Sequence, residues 1–170
     1  MEGEIINKVA NSGLVTFNLE DYYKKGERKT FDISPFLFEG IIVREKEFRK
    51  SVKEFDWSVF DNNYVALHCS TDAIVPSWAF MLVSLSIVPF AKQVVHGSLE
   101  DLERELFAEE LAQVSYKDYE GQRVIIKGCS QFPVPELAYT IVAQRLLPYV
   151  KSLMFGEACS TVPLYKEKRN

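Results

Sequence analysis

The fold is decided by the stretch Tyr64-Val-Ala-Leu-His-Cys69, a continuous run of apolar and β-forming residues. Such a run predicts a strand that is buried on both faces of a sheet. An uncharged segment, Ala73 to Ala91, follows directly, and within it we predict a helix from about Pro76 to Phe90. A buried strand that leads into a crossover helix is typical of a parallel α/β sheet.

Strand and helix patterns continue to alternate towards the C-terminus. Lys92–His96, Arg123–Lys127 and Ser152–Phe155 predict a second, third and fourth strand after Tyr64–Cys69. Helices are predicted from Leu99 onwards, where Ser98 with Asp101 resembles a helix-starting cap, and from Pro135 to Val150. Leucines and isoleucines recur in both at helical spacing. We therefore predict an α/β fold with a mostly parallel sheet of four or more strands and helices on both faces. The polar Lys92 and Gln93 suggest that the second strand lies at an edge, so the predicted order is 2-1-3-4.

The first sixty residues are less regular, and we predict an α+β extension packed on a core of residues 61–164. Leu14–Leu19 and Arg28–Ile33 are predicted to form a hairpin around Lys25-Gly26, and Arg44–Phe55 a helix. We detect no internal repeat. Residues 1–170 are therefore expected to form one domain, since a chain of this length can bury a core of its own.

Composition limits the classes of partner and compartment. A net charge of −4 and a pI near 5.3 argue against nucleic acid, because binding to phosphates needs a basic surface. The N-terminal residues lack the basic and apolar regions of a secretory signal, and three cysteines are an odd number. We therefore expect a cytoplasmic protein with reduced thiols.

The uncharged segment Ala73–Ala91 is long enough to span a bilayer. It contains Pro76, Pro89 and three serines, however, and it lies between two predicted strands. A buried crossover helix explains these features better, so no membrane partner is expected.

All three cysteines follow predicted strands. Cys69 ends the first strand, Cys129 follows the third and Cys159 follows the fourth, and each is followed by serine. With the order 2-1-3-4 these strands are neighbours about 4.8 Å apart, so the thiols would meet at the carboxyl-end edge of the sheet. Three soft sulfur ligands indicate a metal site, for zinc first and for iron or an iron–sulfur cluster second.

A fourth ligand would come from Glu157, Asp72 or His96, which lie near the cysteines in the chain or in the predicted sheet. Each also has a simpler interpretation. Asp72 could cap the following helix, and Glu157 and His96 could be solvated loop residues. His68 should point to the opposite face from Cys69, where a core histidine is the simpler interpretation.

Other functions remain open at this stage. A metal-free thiol could carry or transfer sulfur, or act as a Cys–His nucleophile through Cys69 or Cys129 with His96. Alternatively the cysteines are core residues of a non-catalytic interaction module. No phosphate-binding glycine loop or nucleophile-elbow motif occurs. The sequence names no reaction, and it leaves a small-molecule ligand and a homo-oligomer open.

Several motifs carry a family resemblance. They are Asp72-Ala-Ile-Val-Pro-Ser-Trp78, Lys127-Gly-Cys-Ser130, the stretch Phe155-Gly-Glu-Ala-Cys-Ser-Thr-Val-Pro-Leu-Tyr-Lys166 and the opening Glu4-Ile-Ile-Asn-Lys-Val-Ala-Asn-Ser-Gly-Leu-Val15. Together they resemble an uncharacterised bacterial domain-of-unknown-function family over nearly the whole chain. The resemblance implies a small free-standing protein and supplies no activity.

Overall fold

The computed structural model describes residues 13–128, 130–157 and 160–168. The strands are β1 (Leu14–Asn18), β2 (Arg28–Asp32), β3 (Tyr64–His68), β4 (Gln93–His96), β5 (Arg123–Lys127), β6 (Ser152–Glu157) and β7 (Ser160–Lys166). The α-helices are α1 (Glu45–Glu54), α2 (Ser77–Ile87), α3 (Leu99–Ala112) and α4 (Glu136–Leu146). Short 3-10 helices cover Leu19–Tyr22, Ser34–Phe36, Trp57–Phe60 and Tyr116–Tyr119.

The predicted α/β class and the positions of its main elements are confirmed. The four predicted strands correspond to β3, β4, β5 and β6, and the predicted helices to α1, α2, α3 and α4. β4 runs parallel to β3, and β6 runs parallel to β5, as expected for strands joined through a helix. β7 was not predicted, and it pairs antiparallel with β6.

The strand order differs from the predicted 2-1-3-4, because the strands form two sheets. Their orders are β2-β3-β4 and β1-β5-β6-β7. β3 and β5, the first and third predicted strands, therefore lie in different sheets. A strand in the middle of a sheet has two neighbours, and the alternation of elements identifies only the one that follows through a crossover. The second neighbour is β2 for β3 and β1 for β5.

The hairpin predicted from Leu14–Leu19 and Arg28–Ile33 is wrong, because β1 and β2 lie in different sheets and do not pair with each other. β1 and β2 each run parallel to the middle strand of a sheet, with Phe17 opposite Ile126 and Phe31 opposite Leu67. The described part of the first sixty residues, 13–60, thus contributes one strand to each sheet.

The chain divides into two compact units. We call residues 24–105 the central unit and residues 1–23 with 106–170 the terminal unit. Each has a separate hydrophobic core. The central core includes Phe31, Val65, Leu67, Ala79, Val83 and Ile87. The terminal core includes Phe17, Val124, Ile126, Ala138, Val142 and Leu146.

The two units repeat one arrangement, which corrects the expectation that the chain has no internal repeat. In each unit an early strand leads into a 3-10 helix and pairs with the first strand of a parallel strand–helix–strand segment. The registers correspond as well. Val65 lies opposite Val94 in the central unit, and Val124 lies opposite Leu153 in the terminal unit.

The crossover helices also correspond residue by residue. The buried side chains of α2 are Ala79, Val83 and Ile87. The buried side chains of α4 are Ala138, Val142 and Leu146. Each follows its counterpart in α2 by the same number of residues. Each helix follows a proline N-cap, Pro76 or Pro135, in extended conformation. The sequence similarity is confined to such scattered positions, which explains why inspection of the sequence misses the repeat.

Helix α2 lies within the uncharged segment and has 11 residues. Ala79, Val83 and Ile87 of this helix are buried in the central core, which also includes Val65 and Leu67 of β3. Met81 and Leu85 of the same helix are exposed. Among the residues that the structure describes, no helix combines the length and apolar character needed to cross a membrane.

Candidate functional site

The carboxyl ends of β3 and β4 border a cleft of about 740 Å³ in the central unit. Open parallel sheets bind ligands at this edge, because the loops that follow the strands converge there. The polar side chains of the lining include His68, Cys69, Thr71, His96, Ser98 and Glu100. The apolar part of the lining is formed by Ala73, Val75, Phe80 and Leu99. Both histidines of the chain thus lie at one cleft with a cysteine.

Cys69 is the first residue after β3, and its side chain is half-buried. The thiol donates to the carbonyl oxygen of Thr71 at 3.6 Å, and its sulfur lies 3.4 Å from the Thr71 hydroxyl oxygen. That hydroxyl donates to the carbonyl oxygen of Gly40 at 2.5 Å. These contacts position the sulfur in the wall of the cleft.

His96 is the last residue of β4 and lies opposite Leu67 of β3. Residues two apart along a strand share one face, so Cys69 continues the face of Leu67 and His96. Strand geometry continued for one residue past β3 corresponds to a separation of roughly 8 Å between the Cα atoms of Cys69 and His96. The His96 ring packs on Phe80, with ring centroids 4.1 Å apart and an interplanar angle of 36°.

His68 is the last residue of β3 and lies opposite Asp32 of β2. Its carbonyl oxygen accepts a hydrogen bond from the backbone N–H of Ile33 at 2.9 Å. The side chain is half-buried and lines the cleft. His68 is therefore not the core histidine that the sequence favours for a side chain on the opposite face from Cys69.

The Asp32 carboxylate anchors the loop that contains Cys69. It accepts hydrogen bonds from the backbone N–H and the hydroxyl of Ser70, at 3.0 and 2.5 Å. Ser34 donates in the same way, at 2.9 Å from its N–H and 2.7 Å from its hydroxyl. Partial burial alone would raise the pKa of Asp32, but these four hydrogen bonds outweigh it and hold the pKa well below its usual range. Asp32 is thus ionised at neutral pH and ties the end of β2 to the loop after β3.

The opposite wall of the cleft comes from the turn between β4 and α3. Asp101 accepts hydrogen bonds from the N–H and the hydroxyl of Ser98, each at 2.8 Å, and the Asp101 N–H donates to the Ser98 hydroxyl at 3.1 Å. This is the helix-starting cap that Ser98 and Asp101 predict. Gly97 has φ +147°, and a Cβ atom there would lie 2.7 Å from an Asp101 carboxylate oxygen. Only glycine therefore fits this turn without distortion.

The terminal unit has a comparable anchor in Glu20. Its carboxylate accepts hydrogen bonds from the N–H groups of Ser130, Gln131 and Phe132 at 2.6, 2.5 and 3.0 Å, and from the Ser130 hydroxyl at 2.8 Å. The amides of Phe132 and Gln131, with the Ser130 hydroxyl, lower the pKa of Glu20 to about 2. In both units a carboxylate near the end of the early strand holds the serine of a Cys-Ser pair.

The polar groups of the two units nevertheless differ. Lys127 ends β5 where His68 ends β3, and Phe155 occupies the position in β6 that His96 occupies in β4. Lys127 forms an ion pair with Glu157 at 3.8 Å. The combination of a cysteine with two histidines is therefore specific to the central unit.

The structure brings together only part of the predicted metal site. Cys69 and His96 line one cleft. Asp72 is exposed and is not the predicted helix cap, since Pro76 is the N-cap of α2. Glu157 belongs to the terminal unit, and Cys129 and Cys159 lie outside the described residues. Across residues 13–128, 130–157 and 160–168, no group of three or more His, Cys, Asp or Glu side chains is arranged to hold a metal ion.

Sequence reasoning missed Asp32 and Thr71, and it assigned His68 to the core. Asp32 ends a segment that we placed in a hairpin, so its position beside the loop after β3 was hidden. The available signal was the Ser70 hydroxyl next to Cys69, since a serine hydroxyl can donate a hydrogen bond to a carboxylate.

The chain belongs to the family described as protein of unknown function (DUF2480), whose model matches residues 3–167. The family resemblance predicted from the sequence motifs is thereby confirmed. No curated protein and no solved structure matches the chain.

Proposed function

We propose that the central unit binds a small molecule in the cleft beyond β3 and β4, and that Cys69 reacts with it as a nucleophile. His96 is proposed to accept the thiol proton. The observation that carries this proposal is that Cys69 and His96, at the ends of two paired strands, line one cleft.

The form of the cleft supports a small-molecule ligand. Its volume of about 740 Å³ lies within the range of roughly 300–1,000 Å³ that is usual for such sites. Its walls combine an apolar part around Val75 and Phe80 with a few polar groups, which is the usual division between binding energy and orientation.

The proposed chemistry follows from the neighbours of the sulfur. A thiolate is the reactive form of cysteine, and an imidazole within reach can take up the proton. The thiolate would then use its electron pair to form a bond to an electrophilic carbon or sulfur atom of the ligand, whose leaving group departs with the electrons of the broken bond. Packing on Phe80 restricts the rotation of the His96 ring. The reduced thiols of the cytoplasm, the compartment we propose, would suit this role.

The internal repeat supports the central unit as the location. The terminal unit keeps the same strand–helix–strand frame, yet it has Lys127 and Phe155 where the central unit has His68 and His96. Neither lysine nor phenylalanine serves as a neutral proton acceptor at pH 7. The strand–helix–strand frame therefore forms without histidines at these two positions, so we propose that the histidines of the central unit have a functional role.

Alkylation of Cys69 by iodoacetamide tests the proposal. We would follow each cysteine-containing peptide by mass spectrometry at pH 7 in the native chain and in the His96→Gln variant. The variant should slow alkylation of Cys69 by about tenfold or more, because the proton acceptor is lost. Alkylation of Cys129 and Cys159 in the same samples is the internal control and should stay unchanged.

The His68→Gln variant separates the two histidines. His68 should point to the other side of β3, so its replacement should change Cys69 alkylation less than twofold. Equal rates for Cys69 in the native chain and in His96→Gln would refute the proposed proton transfer. The zinc hypothesis on Cys69, Cys129 and Cys159, with iron as its alternative, stays a separate prediction that metal analysis tests.

A further inference from the structure

A second cleft, of about 510 Å³, lies in the terminal unit at the amino ends of β5 and β6. Four cationic side chains line it, namely Arg123, Lys151, Lys166 and Lys168. Glu167 is the carboxylate in the lining. The cleft is thus strongly cationic in a chain whose net charge is −4.

Strand pairing places these charges side by side. Arg123 lies opposite Ser152, and Ser152 lies opposite Lys166, so the three residues form a row across β5, β6 and β7. Two strand spacings separate the Cα atoms of Arg123 and Lys166, or roughly 10 Å. The N–H of Glu167 donates to the carbonyl oxygen of Lys151 at 2.9 Å, which holds the end of the chain beside the start of β6.

The cationic side chains of this cleft outnumber the carboxylate of Glu167 among its described lining residues. Lys151, Lys166 and Lys168 form no ion pair with any residue that the structure describes. Lys127 of the same unit, in contrast, pairs with Glu157. Bringing like charges together is unfavourable unless an anion compensates them. The buried hydroxyl of Ser152, in the middle of the row, also lacks a hydrogen-bond partner among the described residues.

The cleft depends on β7, which has no counterpart in the central sheet. Lys92 corresponds to Lys151 in the repeat, but its ammonium lies 5.4 Å from the centroid of the Tyr64 ring. The cationic cleft is therefore not a by-product of the repeated frame. It arises where the C-terminal strand adds Lys166 and Lys168 beside Lys151.

We infer that this cleft binds a small molecule that carries two or more phosphoryl groups. Lysine ammonium and arginine guanidinium groups bind phosphate oxygens by charge-assisted hydrogen bonds. The volume suits a small ligand, and Tyr165 and Met154 provide apolar surface beside the charges. A long polyanion is disfavoured, because the rest of the chain is acidic and would repel it.

Isothermal titration of the full chain with sodium tripolyphosphate at low salt tests the inference. The native protein should bind one tripolyphosphate, and Lys151→Gln with Lys166→Gln should weaken binding at least tenfold. Each single replacement should weaken it at least about threefold. The matched control, Lys46→Gln with Lys53→Gln on α1, removes the same charge from the central unit and should change the affinity less than twofold.

Three outcomes would overturn the inference. They are no binding of tripolyphosphate to the native chain, equal weakening by the control pair, or native affinity in the Lys151→Gln and Lys166→Gln single variants. Tighter binding of a single-stranded oligonucleotide, lost in the same lysine variants, would replace the small ligand by a nucleic acid. Thermal unfolding of each variant confirms that the affinities refer to folded protein.

Discussion

Replacing Ile87 with alanine tests how firmly α2 is seated in the central unit, because Ile87 is fully buried in its core. The change deletes three carbon atoms. At about 0.8 kcal/mol for each buried CH₂ group, plus a term for the cavity that remains, the free energy of unfolding should fall by about 3 kcal/mol. Leu85 lies on the same helix but is 69% exposed, so Leu85→Ala should cost less than about 0.5 kcal/mol.

Tryptophan fluorescence during urea unfolding is the suitable assay. Both tryptophans of the chain, Trp57 and Trp78, belong to the central unit, so their emission reports on this unit. With an m-value of about 1–2 kcal/mol/M, Ile87→Ala should lower the urea midpoint by roughly 1.5–3 M. Leu146, also fully buried, takes the corresponding position in α4 and should show a similar loss when circular dichroism monitors unfolding.

The result that refutes this reasoning is a loss in Ile87→Ala no larger than that in Leu85→Ala. The buried face of α2 would then not be packed in the central core.

Three further predictions concern acid stability, the last hairpin and metal content. The folded pKa of Glu20, about 2, lies below its ordinary value of 4.5, so its ionised form stabilises the fold above about pH 4.5 and this stabilisation is lost as the pH falls towards 2. Glu20→Gln should therefore reduce the difference in unfolding free energy between pH 7 and pH 3, measured with urea. Gly156→Ala should lower the melting temperature more than Gly121→Ala, because a Cβ atom at Gly156 would lie 2.6 Å from the carbonyl oxygen of Ser160, whereas at Gly121 it meets nothing within 4 Å. The metal hypothesis predicts one zinc ion per chain by elemental analysis, and its release by Cys69→Ser. A metal-free native chain would contradict it and would leave two interpretations, thiol chemistry or an interaction module with core cysteines.

The sequence predicted the elements far better than their assembly. The stretch Tyr64–His68 became a buried strand, because its apolar side chains can be covered only in the middle of a sheet. The Ser98–Asp101 cap was also predictable, since it depends on residues three apart. The pairing of β2 with β3 was not, because it joins segments about thirty-five residues apart through backbone groups that every residue carries.

In the candidate site too, the individual residues were predictable from the sequence, whereas only part of their assembly was. Cys69 and His96 were recognised as candidates because each lies at the end of a predicted strand. Their meeting at one cleft rests on the pairing of β3 with β4, which the short crossover made predictable. The proposed association of Cys69 with the other two cysteines depended on β3 and β5 as neighbours, and these strands lie in different sheets.

By itself, the sequence determined the α/β class, the bounds of most helices and strands, and membership of the family. The class and the bounds follow from periodicity, local caps and residue type, which act over a few neighbouring residues, whereas the family follows from motifs that match its model over residues 3–167. Only the tertiary structure decided that there are two sheets, that one frame is repeated, and that Asp32 and Glu20 hold equivalent loops. Which strand pairs with which depends on burial summed over whole faces, and many pairings satisfy the same local pattern until the two cores are packed.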